Sequence, residues 1–146
     1  MFMSKKKILV SACLLGTPCR YDGKSKPNER VIALSEQYEL VPICPECIGG
    51  LPTPRTPSER VGDRVIMKDG RDVTENYKKG AEIAYNTCRE NHIETAILKA
   101  RSPSCGKGEI YDGSFSGKLC KGYGVTAEHF LNNNIEVLTE EEIDGF

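Results

Sequence analysis

Three short apolar runs punctuate the chain, and a cysteine follows the end of each one. The runs are continuous rather than alternating with polar residues, which is typical of strands buried on both faces of a parallel sheet. The three predicted strands, each with the cysteine that follows it, are Lys7–Ala12 with Cys13, Gln37–Ile43 with Cys44, and Glu94–Ala100 with Cys105. The third strand ends in a loop of small residues, Ser102–Gly106, a position where α/β proteins commonly keep their chemistry.

Helical patterns separate these strands. Asp72, with Glu75 three residues later, is typical of a helix start and predicts a helix to about Asn91 with Cys88 on its buried stripe. The segment Cys44–Pro57 is rich in proline and glycine, so it predicts an ordered loop rather than a helix. The remaining predicted elements are a short helix from Asn28 or Glu29 to Gln37, a small strand Arg64–Lys68, a hairpin or loop over Ile110–Gly117, a helix capped by Thr126 that ends near Leu131, and a last strand Ile135–Leu138.

Strands that alternate with helices predict an α/β fold with a mostly parallel, Rossmann-like sheet flanked by helices. A length of 146 residues favours a single domain over 1–146, with its core at about 8–138. The carboxyl ends of parallel strands share one edge of the sheet, and ligands bind there. The cysteine-bearing loops are therefore expected to meet at that edge.

The composition narrows the possible functions. With 38% hydrophobic and 28% charged residues and a net charge of −1, the chain is expected to be globular and to lack the basic surface that nucleic acids require. No apolar run reaches the length of a membrane span. The basic start Met1–Lys7 is followed by an apolar stretch too short for a secretory signal, so we expect a cytoplasmic protein.

The chain contains seven cysteines, an odd number, so metal binding or catalysis is a better explanation than a disulfide framework. A structural zinc site takes four ligands, and here Cys44 and Cys47 form the one Cys-x-x-Cys pair. An iron–sulfur cluster accepts thiolates from distant loops, and three protein ligands on four irons leave one iron open for substrate. Incidental burial of the thiols is the alternative.

Cys44-Pro45-Glu46-Cys47 also has the spacing of a thioredoxin-type redox pair. Such chemistry needs the first cysteine at the N-terminus of a helix, which lowers the pKa of its thiol. Gly49, Gly50 and Pro52 are expected to break that helix, which disfavours thiol–disulfide exchange.

Polar residues accompany the same predicted edge. Glu46 follows Cys44 by two positions. A partly desolvated carboxylate beside a metal can take a proton from water, so Glu46 is a candidate base. The alternative is a glutamate that only forms a salt bridge. Ser102 and Ser104 either bond a heteroatom of the substrate or cap the backbone of a turn. Four cations either bind an anion or pair with Asp22 and Glu46: Arg20, Arg55, Lys99 and Arg101. Of these polar residues, Ser104, Arg20 and Arg55 are the candidates for substrate binding.

Four ordered motifs run through the chain: Ser11–Gly16 with Cys19–Gly23, Cys44–Glu46 with Gly49–Arg55, Lys99–Gly106, and Tyr111–Gly117. Together they resemble the motifs of the thiouracil desulfidase (TudS) family, and the resemblance extends from Ile8 to about Leu138. It implies a 4Fe-4S cluster held by three cysteines, which match Cys13, Cys44 and Cys105. It also implies a glutamate and a serine as catalytic groups, which match Glu46 and Ser102.

The reaction implied by the resemblance replaces the sulfur of a thiolated uracil by oxygen without net electron transfer. The sulfur of the substrate would bind the open iron, and Glu46 would activate water. The lack of an added domain and of surplus basic charge favours a free thiolated base or nucleoside as substrate. An aerobic preparation is expected to lose the cluster or to carry another metal in its place.

The sequence departs from the family pattern at Cys47, where an aliphatic residue is more common. A thiol this close either binds the open iron or takes no part, and Cys19 matches the family loop without being assigned as a ligand. Two other classes of protein are alternatives to an enzyme. One is a non-catalytic module that binds zinc or a cluster, with zinc on Cys13, Cys44, Cys47 and Cys105, and the other is a sensor of a sulfur-containing nucleobase.

Overall fold

The computed structural model of the protein describes residues 5–144. The start of the basic segment Met1–Lys7 and the two ends of the predicted domain 1–146 lie outside the described residues. The strands are β1 Lys6–Ser11, β2 Tyr38–Ile43, β3 Ser58–Val61, β4 Arg64–Met67, β5 Thr95–Leu98, β6 Glu109–Tyr111, β7 Leu119–Lys121 and β8 Glu136–Thr139. The α-helices are α1 Glu29–Ala33, α2 Pro45–Ile48, α3 Thr74–Glu90 and α4 Val125–Asn132, and two short 3-10 helices span Ala12–Leu15 and Leu34–Glu36.

Four strands form a parallel sheet in the order β2-β1-β5-β8. In the register of this sheet, Leu9 of β1 lies opposite Val41 of β2 on one side and Ala96 of β5 on the other. The chain winds in one direction from β1 to β2 and in the opposite direction from β1 to β5, and such a switch point is where α/β sheets bind ligands. The predicted α/β class with a mostly parallel, Rossmann-like sheet is confirmed.

Both faces of the sheet are covered, which explains the continuous apolar run Ile8–Val10 within β1. Leu9 belongs to a cluster with Cys88 of α3 and Phe130 of α4, as predicted for Cys88. The neighbouring Val10 points to the opposite face and belongs to a second cluster with Val31 of α1. Successive residues of a strand point to opposite faces, so a strand between two helical layers needs apolar side chains at every position.

Two local predictions are wrong. The proline-rich segment after β2 begins with a one-turn helix, α2, because Pro45 occupies the first helical position, where a missing N–H is tolerated. Thr126 does not cap α4; Gly124 occupies the cap position, and the hydroxyl of Thr126 bonds that of Ser104 instead.

Two antiparallel hairpins, β3–β4 and β6–β7, lie outside the main sheet. The predicted Ile110–Gly117 hairpin and the Arg64–Lys68 strand correspond to parts of them, whereas β3 has no apolar run and was not predicted. Asn28 begins α1 with its side-chain oxygen, which accepts the backbone N–H groups of Arg30 and Val31. Within residues 5–144, no helix has the length and apolar character needed to cross a bilayer.

Candidate functional site

The carboxyl ends of β2, β1 and β5 open into one cavity of about 690 Å³. Because these strands are parallel neighbours, the loops that follow them meet at the same edge of the sheet. Cys13, Cys44 and Cys105 all line this cavity. The structure thus brings together the three thiols that the sequence predicted as metal ligands.

The turn that carries Cys105 is held by Ser102. The Ser102 oxygen accepts the backbone N–H of Ser104 over 3.1 Å and that of Cys105 over 3.0 Å. Ser102 also lines the cavity. Within the described residues its hydroxyl donates no hydrogen bond, so its proton is available to a bound molecule.

Cys44 lies at the position that caps α2, directly after β2. Its thiol donates to the backbone carbonyl of Cys19 over 3.7 Å, and the thiol of Cys47 donates to the same carbonyl over 3.9 Å. Cys19 lines the cavity, whereas Cys47 is not among the lining residues and contacts the hydroxyl of Thr53 at 3.3 Å. The first cysteine of the Cys-x-x-Cys pair therefore does precede a helix, but that helix has a single turn and ends at Gly49, one of the residues predicted to break it.

The environment of Cys44 nevertheless does not favour a thiolate. A hydrogen bond with the Cys19 thiol, together with burial, raises the pKa of Cys44, and the same bond lowers the pKa of Cys19. Burial raises the pKa of Cys13 and of Cys105 to about 12, with a further contribution from their neighbouring thiols and carboxylate. The three strand-end thiols are thus protonated at neutral pH, and a bound metal would have to displace their protons.

Glu46 lies in α2 and its carboxylate reaches the cavity. The Tyr77 hydroxyl donates a hydrogen bond to Glu46 Oε2 over 2.8 Å, and Arg55 Nη2 forms an ion pair with the same oxygen at 3.2 Å. The Glu46 side chain is 15% exposed and the Arg55 side chain 3%. Glu46 is therefore a salt-bridged carboxylate that still borders the cavity.

The candidates for substrate binding have different outcomes. Arg55 is committed to protein groups, because besides Glu46 it donates to the carbonyls of Cys19 and Pro52 and to the hydroxyl of Thr53. Ser104 is fully buried, bonds Thr126 over 2.8 Å and does not line the cavity. Ser104 therefore lies outside the cavity, whereas Arg55 lines it while bound to these protein groups.

Arg20 is the candidate that the structure leaves accessible. It lines the cavity, with its guanidinium 5.9 Å from the centre of the Tyr21 ring. Within the described part of the chain it forms no ion pair with a carboxylate. Its charge is therefore available to a polar group of a bound molecule.

The two cations that follow β5 pair with carboxylates, one of the two outcomes open from the sequence. Lys99 lies 2.8 Å from Glu140, which also accepts the backbone N–H of Ala100. Arg101 bonds Glu141 through two nitrogens, over 3.0 and 2.9 Å, and Glu109 of β6 through the third, over 3.1 Å. The partners come from β6 and from the segment after β8 rather than from Asp22 and Glu46, the partners expected from the sequence.

Three residues around the site were not predicted. Ser11 donates to the Cys105 thiol, and Tyr77 holds Glu46. Glu59 of β3 accepts the backbone N–H groups of Gly113 and Phe115, which fixes the loop after β6 at the wall of the cavity. Tyr77 fits the apolar stripe of α3 like any core residue. Ser11 begins one of the four motifs but was given no role there, and nothing local distinguishes Glu59.

The three cavity thiols fit a four-iron cluster. Among residues 5–144, no three His, Cys, Asp or Glu side chains converge closely enough to hold one metal ion. The zinc alternative on Cys13, Cys44, Cys47 and Cys105 therefore has no preformed ligand set. A four-iron cluster binds each thiolate through a different iron, so three thiols that line one cavity fit such a group.

The fold and the site define an α/β protein with three strand-end thiols and a carboxylate at one cavity. A family model for 2-thiouracil desulfurases matches residues 8–142, and the chain belongs to this family.

Two known proteins are similar over nearly the full length. A Bacillus subtilis (strain 168) protein described as uncharacterized protein YbbK is 40% identical over an alignment of 147 positions that covers 94% of this chain and 97% of the relative. The solved structure of the 4Fe-4S-dependent thiouracil desulfidase TudS matches with a TM-score of 0.90 at 45% identity, over 95% of this chain and 93% of that chain. The family resemblance predicted from the motifs is confirmed.

Proposed function

We propose that this protein removes sulfur from thiolated uracil compounds, converting a thiouracil and water into uracil and sulfide. One observation carries the proposal: three thiols from neighbouring strand ends line the same cavity as the carboxylate of Glu46. The family and the similar solved structure, a thiouracil desulfidase, support it. Exchange of a C=S for a C=O group with water involves no net electron transfer, so the reaction calls for a Lewis acid and a base.

The proposed cofactor is a 4Fe-4S cluster held by Cys13, Cys44 and Cys105, as the similar structure is of a 4Fe-4S-dependent enzyme. When bound, it supplies an open Lewis-acidic iron for the sulfur of the substrate. The chain contributes three thiols that stay protonated until metal binds, because burial raises the pKa of Cys13 and of Cys105.

Glu46 is the proposed general base. Its carboxylate borders the cavity and is largely removed from solvent, where it can take a proton from the water that attacks the thiolated carbon. Ser102 is the proposed hydrogen-bond donor to the substrate. Its oxygen already accepts two backbone N–H groups, which orient the hydroxyl and leave its proton for a ligand atom.

The cavity suits a small aromatic ligand. Its volume of about 690 Å³ falls within the usual range of small-molecule sites. Tyr21, Tyr111 and Phe115 line it and offer rings against which a planar base can stack. The proposed substrate is therefore a free thiolated base or nucleoside.

The test is anaerobic reconstitution with iron and sulfide, followed by an assay of sulfide and uracil released from 4-thiouracil. We expect an iron–sulfur chromophore and release of both products. Glu46→Ala should keep its iron and its affinity for uracil but lose turnover. A protein that forms no chromophore and releases no sulfide would contradict the proposal, and binding of 4-thiouracil without turnover would indicate a sensor.

A further inference from the structure

Both groups that hold the Glu46 carboxylate bind the same one of its two oxygens. The Tyr77 hydroxyl donates to Oε2 over 2.8 Å, and Arg55 Nη2 lies 3.2 Å from that same atom. Within residues 5–144, Oε1 accepts no hydrogen bond. The protein thus distinguishes the two oxygens, fixing one and leaving the other without a protein partner.

The support on Oε2 is rigid. The Arg55 guanidinium also donates to three other acceptors, the carbonyls of Cys19 and Pro52 and the hydroxyl of Thr53, so it cannot turn away without breaking several bonds. Tyr77 is 1% exposed and lies in the first turns of α3. A buried phenol needs a hydrogen-bond partner, and the carboxylate of Glu46 supplies it.

Tyr77 acts on the site from outside it, since it does not line the cavity although Glu46 does. The α3 segment that carries it is packed tightly on α2, the helix of Glu46. The backbone of Gly80 lies so close to Pro45 that an added Cβ would come within 2.0 Å of the Pro45 oxygen. The hydroxyl of Tyr77 is therefore held at a fixed place relative to the Glu46 backbone.

We propose that Tyr77 is a positioning residue for the desulfuration: with Arg55 it fixes Oε2 of Glu46, so that Oε1 is the atom presented to water in the cavity. This inference rests on the proposed function, in which Glu46 is the base. A mobile carboxylate must lose rotational freedom to reach the transition state, which raises the activation free energy. A carboxylate already held in one orientation avoids this cost. Removal of the Tyr77 hydroxyl should then slow turnover without weakening the binding of substrate.

The kinetic test compares Tyr77→Phe with Tyr85→Phe, a matched control on the same helix. The ring of Tyr85 packs edge-to-face against His129, and neither residue lines the cavity. For Tyr77→Phe we expect kcat for 4-thiouracil to fall about tenfold with KM within about twofold of wild type, the pattern of an interaction needed only in the transition state. The iron bound per chain should match that of the control, which separates an effect on turnover from an effect on the metal centre. An unchanged kcat, a rise in KM alone, or a fall in kcat matched by loss of iron would overturn the inference.

A second readout does not depend on activity. In apo protein labelled with 13C at tyrosine Cζ, the Tyr77 resonance is assigned by its absence in Tyr77→Phe. Glu46→Ala should shift this resonance and leave that of Tyr85 in place, because Glu46 is the hydrogen-bond partner of Tyr77. An unmoved Tyr77 signal would refute the positioning role even in an active enzyme, whereas a wild-type protein that loads iron but releases no sulfide would refute the proposed function instead.

Discussion

The hydroxyl of Ser11 donates a hydrogen bond to the thiol of Cys105 over 3.4 Å, although 94 positions separate the two residues. The same oxygen accepts the backbone N–H of Lys99 over 2.9 Å. Ser11 is the last residue of β1, and Lys99 directly follows β5, so one buried hydroxyl joins the ends of the two strands. It therefore helps to fix the spacing between the turn of Cys13 and the turn of Cys105.

Replacement of Ser11 by alanine should weaken both the fold and the metal centre. The backbone N–H of Lys99 would lose its acceptor in a partly buried place, which should lower the free energy of unfolding of the apo protein by about 1–2 kcal/mol. The reconstituted protein should also lose its visible iron–sulfur absorbance faster in air, because hydrogen bonds around ligands tune and stabilise metal sites. Urea unfolding and the decay of that absorbance measure the two effects. Ser35→Ala, at an exposed position, is the control, and equal decay rates in both variants would contradict this role.

Serine in place of any one of Cys13, Cys44 and Cys105 should nearly abolish the iron retained after anaerobic reconstitution, because each thiol is a proposed ligand. Cys47→Ser should retain iron, since Cys47 does not line the cavity. Cys120→Ser, at an exposed position, controls for the loss of a thiol as such. Iron per chain, measured after removal of loosely bound metal, is the readout. Retention of iron in Cys105→Ser together with its loss in Cys47→Ser would require a different ligand set.

The strand-end cysteines could be predicted because their signal is local. A continuous apolar run predicts a buried strand, and a parallel sheet places the loops after its strands at one edge. This reasoning places Cys13, Cys44 and Cys105 at the same edge of the sheet without knowledge of the order of the strands. It fails for α2, since the proline that disfavours a helix in most places begins one at Pro45.

The contacts that shape the chemistry could not be predicted in this way. Tyr77 lies on the buried stripe of α3 like any core aromatic residue, and its bond to Glu46 depends on how α3 packs on α2. The ion pair of Arg55 with Glu46 is one of the outcomes that the sequence left open, but the bonds of Arg55 to the carbonyls of Cys19 and Pro52 were not predicted. Such long-range pairings depend on tertiary packing, which no window of sequence contains.

The buried thiol of Cys88 should make the apo protein less stable at alkaline pH. Burial raises the pKa of Cys88 from about 9 to about 12, so the folded state holds a proton that the unfolded chain releases. Its contribution to stability is complete below pH 9 and is lost as the pH rises towards 12, by about 1.4 kcal/mol per pH unit. Cys88→Ala should therefore show a shallower fall in the free energy of unfolding between these limits. Urea titrations at several pH values measure the slope, and parallel slopes for Cys88→Ala and wild type would contradict the raised pKa.

An added methyl group at Gly80 should separate α2 from α3 and disturb the site at a distance. The Cβ of an alanine at this position would lie 2.0 Å from the Pro45 carbonyl oxygen, which is backbone and cannot move without moving Cys44 and Glu46. We expect Gly80→Ala to lower the free energy of unfolding by about 1–3 kcal/mol, as overpacking does, and to reduce iron retention and turnover together. Lys79→Ala, at the exposed neighbouring position of the same helix, controls for the gain in helix propensity. If Gly80→Ala unfolds at the same urea concentration as Lys79→Ala and keeps its iron, the close contact between α2 and α3 does not hold the ligand-bearing segment in place.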